Sequence, residues 1–312
     1  MPELSVERQN DFPLTMNTRD AVTQFLAAKN LSERSRADYG RYLYRLADYA
    51  GTAPLKEVLS LARVTDWVSQ LKQSGAYAAR NGVAYLKSFA SWCHIVYGTP
   101  RLEGFEYPKV PVSTRTALTD DEVKQVFGTF SLPTRNGSRT RAYIALLLSS
   151  GLRRDEARQL LLSDLVESPP HVRVRAETTK GRRGRVSRLS GAAIALIRDY
   201  IVQRPPYKGE PPEPLFLAEY GTAFTPKGFG SCADEAFNVI ERLTGLRISS
   251  HIFRHTWATN YARGMGKTGN TVYDLKREGG WKNLVIPLTY IHDRPEAELL
   301  AMPVPGAING SW

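Results

Sequence analysis

The chain reads as mainly α-helical with a small β-hairpin or sheet, divided into a helical first domain and an α+β second domain. Three observations point there. Apolar residues recur at helical spacing through the first hundred residues, a proline-broken stretch at 107–111 interrupts them, and two strand-like runs flank a basic, glycine-containing turn further on. Length agrees, because 312 residues make about two domains at roughly 150 residues each.

Residues 1–16 lack periodicity and read as a flexible N-terminal arm, and 17–105 read as one helical module. Thr18 caps a first helix with Val22, Phe25 and Leu26 on its buried face. Ser32 opens a second, with Tyr39, Leu43, Leu46 and Ala50 in one stripe. Val64, Trp67, Val68 and Leu71 mark a third, and a fourth spans about 78–97 with Leu86, Phe89, Trp92 and Cys93 inward. Residues 106–116 form the linker, since proline pushes the preceding residue out of helical geometry.

The second domain, 117–312, opens on a capping box from Thr119 to Glu122. A buried helix at 139–150 and a short one from Gly151 to about 161 follow. Strands are expected at 171–175 and 185–189, joined by a turn at 180–184. Further helices are expected at about 191–203, 228–244 and 252–263, with a proline-rich loop at 205–214 and a glycine-rich loop at 264–269.

Composition narrows the function. Two cysteines, Cys93 and Cys232, exclude a disulfide framework or a cysteine-rich zinc module and fit a reduced intracellular compartment. No run approaches the ~18 apolar residues of a membrane span, and the N-terminal residues lack the apolar core of a secretion signal. Net charge is +11, concentrated between Arg173 and Arg188, where seven basic residues face one acid. Such a segment is either a contact to phosphate backbone or a solvated loop, and composition leaves both open.

Five features are able to carry chemistry. Arg153 enters a helix with Glu156 three residues on, placed to orient it. Lys180 sits at the hairpin turn. His251 and Arg254 share one side of a helix's first turn, with Ser249 and Ser250 as caps, and a helix start attracts anions. His251 and His255 have metal-ligand spacing, yet no glutamate lies between them and no third ligand lies nearby, so no metal is assigned. Trp281 follows Gly279-Gly280, and Tyr290 is one of 15 tyrosines. Each alone has an ordinary explanation as a surface or core residue.

Together they resemble the tyrosine recombinase family of phage integrases, Xer-type recombinases and Cre. The matching pieces are GLRRDEARQL at 151–160, TKGRRGRVSRL at 179–189, HIFRHTWAT at 251–259 and GGWKNLVIPLTYIH at 279–292, in the family's order. The resemblance implies a helical core-binding (SAM-like) domain and a catalytic integrase domain. It implies DNA cleavage and rejoining through a 3′-phosphotyrosyl link, with no metal or nucleotide cofactor. Arg153 and Arg254 would hold the scissile phosphate and Tyr290 would attack it. His251 would act as general base or phosphate donor, Lys180 as general acid, Glu156 as an orienting group, and Trp281 as a wedge. Arg173, Arg175, Arg182, Arg183, Arg185 and Arg188 would contact DNA. The implied partner is double-stranded DNA with paired inverted-repeat sites, bound by a homotetramer in the cytoplasm at the nucleoid, with no membrane, in the service of a mobile element. The tail around Pro295, Leu299, Leu300 and Met302 would be an interface between protomers. Three departures stand out: Trp281 replaces the more common histidine, the segment from Arg263 to Asp274 looks long, and the hairpin carries extra arginines. The alternatives are a type IB-like topoisomerase and a non-catalytic DNA-binding protein of the same fold.

Overall fold

The computed structural model describes residues 16–110, 117–130, 134–179 and 181–292. The chain divides into two compact units between Ser113 and Thr114. The first unit holds α1 (Thr18–Ala28), α2 (Glu33–Ala50), α3 (Leu55–Val58), α4 (Leu61–Gln73) and α5 (Ala76–Tyr97). Asn17, rather than Thr18, caps α1 by accepting from the Asp20 amide, while Ser32 and Ser60 cap α2 and α4 in the same way. Thr18 is the first helical residue and is fully buried. The short α3 escapes periodicity because four residues hold barely one helical turn. Apolar faces of the helices meet in one core, where Phe25 makes edge contacts with Phe89 and Trp92 at 5.5 and 5.6 Å.

The second unit begins with α6 (Asp120–Gly128), whose capping box from Thr119 to Glu122 is formed as expected. The apolar α7 (Arg135–Ser150) is the central element, packed on α9 (Gly191–Gln203) and α11 (Ser250–Thr268). Between α7 and α9 come α8 (Arg154–Arg158), a 3₁₀ turn at Leu162–Asp164 and an antiparallel sheet ordered β1 (Leu165–Glu167), β2 (Pro170–Val174), β3 (Arg185–Arg188). The sheet has three strands because Leu165 pairs with Val172 ahead of the expected hairpin, in which Val172 pairs with Ser187. After α9 come α10 (Pro226–Thr244), α11, α12 (Val272–Gly279) and α13 (Val285–His292).

Two expectations fail in this unit. The glycine-rich segment 264–269 is not a loop: α11 runs through it to Thr268, and Gly269 at φ +71° ends it. Glycine inside a helix costs about 1 kcal/mol, and tertiary packing outweighs that here, since Ala262 is buried and Met265 packs against a cluster containing Trp257 and Tyr290. The segment from Arg263 to Asp274 is therefore mostly helix and cap. Ser249 occupies the N-cap position of α11 without a capping side-chain hydrogen bond, and the Ser250 hydroxyl is hydrogen-bonded to the Tyr143 hydroxyl instead. Among the described residues no helix is long and apolar enough to cross a membrane.

Candidate active site

The site is built where α7 ends. Gly151 adopts φ +61°, which reverses the chain after Ser150 and buries Leu152. A β-carbon at Gly151 would lie 2.0 Å from the Trp257 ring, so only glycine allows α11 to pack this close. Arg153 follows in extended geometry as the N-cap residue of α8. Its amide donates to Glu156 Oε2 at 2.8 Å and its Nη1 donates to Glu156 Oε1 at 3.0 Å. The Glu156 side chain is 4% exposed and that of Arg153 is 45% exposed, so the pair presents a cation outward from a buried anchor.

From α11, Arg254 reaches the same turn. It is 4% exposed and donates through Nη1 to the Gly151 carbonyl and through Nη2 to the Gly279 carbonyl. Burial, and then the Arg153 charge, push Arg254 down to about 9, which leaves it a cation at neutral pH. A cavity of about 290 Å³ is lined by Leu152, Arg153, Arg154, Asp234, Ser249, Ser250, His251 and Arg254. Residues some hundred positions apart thus converge on one basic pocket. Arginine pairs suit phosphate because each guanidinium offers two parallel donors.

Trp281 and Tyr290 are not in that cavity's wall. Tyr290, on α13, is 8% exposed, with its ring 5.2 Å from His255 and 5.9 Å from Trp281. The phenol is close enough to Arg254 to favour that group's charge. Trp281 covers Arg254 on one face and stacks on Trp257. Lys180 and the tail after residue 292 lie outside the described residues. The turn around Lys180 is tied at its base, where Thr179 Oγ1 accepts from the Arg183 amide at 3.0 Å and the Arg182 amide donates to the Thr179 carbonyl at 3.1 Å.

The six arginines expected on DNA divide sharply. Arg173, Arg182 and Arg183 are exposed. Arg185 is not available for DNA: its side chain is 5% exposed and donates to both oxygens of Glu156. Arg175 is likewise committed, to Asp164, Glu177 and the Gln159 carbonyl. Arg188 is half-exposed but bonded to Glu278, Tyr261 and Asn270. Counting basic residues cannot separate these cases, because apart from Glu177 beside Arg175 the acids that claim them lie 11 to 90 positions away. Among the described residues no group of three or more His, Cys, Asp or Glu is placed to hold a metal. Sequence reasoning also missed His255 as the neighbour of Tyr290 and Glu278 as an anchor of β3.

Comparisons with known proteins bear on the family and the fold. The chain is 28% identical to tyrosine recombinase XerD of Caulobacter vibrioides over 162 residues, a match that spans 50% of this chain and about half, 52%, of that relative. It is 25% identical over 292 residues to a tyrosine recombinase of Thermosipho africanus, covering 92% of this chain and 90% of that one. In fold it is similar to the Tn1549 transposon integrase in complex with a circular intermediate DNA, with a TM-score of 0.76 at 17% identity over 92% of this chain and 98% of that one. Residues 116–297, more than half of the sequence, match the phage integrase family, and the chain belongs to that family of tyrosine recombinases.

Proposed function

We propose that this site-specific recombinase cleaves duplex DNA with Tyr290 and rejoins it through a 3′-phosphotyrosyl intermediate. The observation that carries the residue assignment is the single cavity in which Arg153, His251 and Arg254 meet. Attack by the phenol oxygen forms the Tyr290–phosphorus bond, breaks the bond to the 5′-oxygen and places extra charge on the nonbridging oxygens. Arg153 and Arg254 stabilise that charge by preorganised, charge-assisted hydrogen bonds. His251 accepts the phenol proton or donates to the phosphate, and Lys180 protonates the leaving 5′-oxygen. Trp281 fixes Arg254, and Glu156 fixes Arg153. Because the phosphodiester energy is kept in the tyrosyl ester, the step reverses without a cofactor. In-line attack requires the phenol oxygen within about 3–3.5 Å of phosphorus, so DNA loading must bring α13 and the cavity's phosphate together.

The partner is duplex DNA carrying paired inverted repeats, bound in the cytoplasm at the nucleoid by four copies of the chain. The segment after Pro295 couples neighbouring copies, and the natural work is moving a mobile element. The exposed Arg173, Arg182 and Arg183 supply contacts to the DNA backbone. The test uses a nicked duplex bearing one arm of the inverted repeat that flanks the reading frame. The parent chain is expected to give a covalent protein–DNA adduct after denaturation. Tyr290→Phe is expected to bind that duplex with unchanged affinity and give none. An adduct from Tyr290→Phe would remove Tyr290 as nucleophile.

A further inference from the structure

Arg185 occupies an unusual place for a strand residue. On β3 the apolar Val186 is 49% exposed, while Arg185 and Ser187 on the opposite face turn inward. Nη1 and Nη2 of Arg185 donate to the two Glu156 oxygens at 3.1 and 2.7 Å, and its Nε donates to the Glu278 carbonyl at 2.7 Å. The Gly279 carbonyl, one residue on, accepts from Arg254. Gly280 then passes so near that a β-carbon there would lie 2.8 Å from Arg185 Nη1, and Trp281 follows it. One side chain thus joins three pieces of the site: the Glu156 anchor of Arg153, the acceptors at the end of α12, and the turn that carries Trp281.

We propose that Arg185 is a positioning residue for cleavage, compensating Glu156 so that Arg153 keeps its charge and direction for the scissile phosphate; this rests on the phosphate-binding reading of the cavity. The electrostatic need is simple. With Arg153 alone, a buried carboxylate would cancel the cation meant for the substrate and draw its guanidinium inward. Arg185 supplies a second cation, so Glu156 faces Arg153, Arg185 and Arg254, and three cations outweigh one anion. Burial opposes ionisation of Glu156, but the hydrogen bonds and charge of Arg185, helped by Arg153, hold its carboxyl below the ordinary value. Each Glu156 oxygen also receives one donor from Arg185 and one from Arg153, which fixes the carboxylate in both planes.

The experiment measures single-turnover cleavage at saturating protein on the nicked inverted-repeat duplex, from pH 5 to 9, with half-site affinity measured separately. The parent chain and Tyr290→Phe serve as controls. If the parent forms no adduct, the recombinase site reading fails, whatever Arg185 does. With the parent active, Arg185→Gln is expected to bind the half-site as the parent does and to cleave about 10²-fold more slowly, the effect of a misplaced reacting group. It should also gain an acid limb absent from the parent. Without Arg185, burial raises the Glu156 carboxyl, which then takes up a proton as pH falls and releases Arg153. A loss confined to affinity, with normal saturating cleavage, would make Arg185 a DNA contact and overturn the proposal. So would a slow variant with the parent's pH profile, which a merely structural role would give. Should Arg185→Gln not fold, Arg185→Lys decides: it keeps the charge but not the fork. It is expected to cleave about 10-fold more slowly with no acid limb, and parental cleavage by this variant overturns the proposal.

Discussion

The guanidinium carbon of Arg254 lies 4.4 Å from the centroid of the Trp281 ring, and that ring stacks on Trp257 at 6.1 Å with 21° between planes. The buried cation is thus held by an aromatic face and by two backbone carbonyls. An aromatic face over a desolvated cation contributes about 2 kcal/mol. The Arg254–Trp281 contact explains how an indole serves where a histidine is the commoner choice: its surface, rather than a proton, orients the arginine.

Trp281→Ala should therefore lower stability by about 3 kcal/mol through lost packing and cation contact, and slow cleavage more than it weakens half-site binding. Trp281→Phe keeps an aromatic face and should recover most of both. Urea unfolding and single-turnover cleavage check this. Equal damage from Ala and Phe would show that the indole N–H, not the ring face, is the working group.

Gly151→Ala tests the junction of α7 and the Arg153 turn. The new methyl would meet Trp257 at 2.0 Å, and the backbone holds φ at +61°. Strain of about 1 kcal/mol from the left-handed conformation adds to about 1–3 kcal/mol of overpacking. The displaced Gly151 carbonyl also abandons Arg254, so cleavage should fall along with stability. Urea unfolding giving a loss under about 1 kcal/mol would mean that Trp257 moves aside freely.

Arg153→Lys should cleave about 10²–10³-fold more slowly although its charge is kept, because the fork that joins Glu156 to a phosphate oxygen is lost. Single-turnover cleavage at a saturating protein concentration is the measure. A near-parental rate would remove Arg153 from phosphate binding.

Much of this was legible in the sequence because the signals are local. The Thr119–Glu122 box, the stripe of α4 and the spacing of His251 and Arg254 on one helical turn depend only on neighbours within a few positions. What was not legible depends on distant partners. Arg185 looks like any arginine of a basic hairpin until Glu156, 29 positions away, is seen to be buried between it and Arg153. The alternation of β3 misleads for the same reason, since its one valine faces outward and its inward charge is paired. The run of α11 through Gly264 was hidden because glycine weakens a helix locally, while Trp257 and Tyr290 supply the packing that sustains it.

Lys180 gives the sharpest test of the leaving-group step. It follows Thr179, whose hydroxyl and carbonyl both close the turn, and it precedes a strand anchored by Arg185 on Glu156. Lys180→Ala should slow cleavage by about 10²–10⁴-fold, the usual worth of a general acid. A duplex with sulfur at the bridging 5′ position leaves as a thiolate, whose conjugate acid has a pKa near 8.5 in the cysteine case, so protonation is no longer needed. That duplex should restore most of the rate to Lys180→Ala and little to Arg153→Lys, whose defect lies in holding the phosphate. If the sulfur duplex restores nothing, Lys180 is a phosphate contact, and the exposed Arg182 and Arg183 become the candidates for the acid.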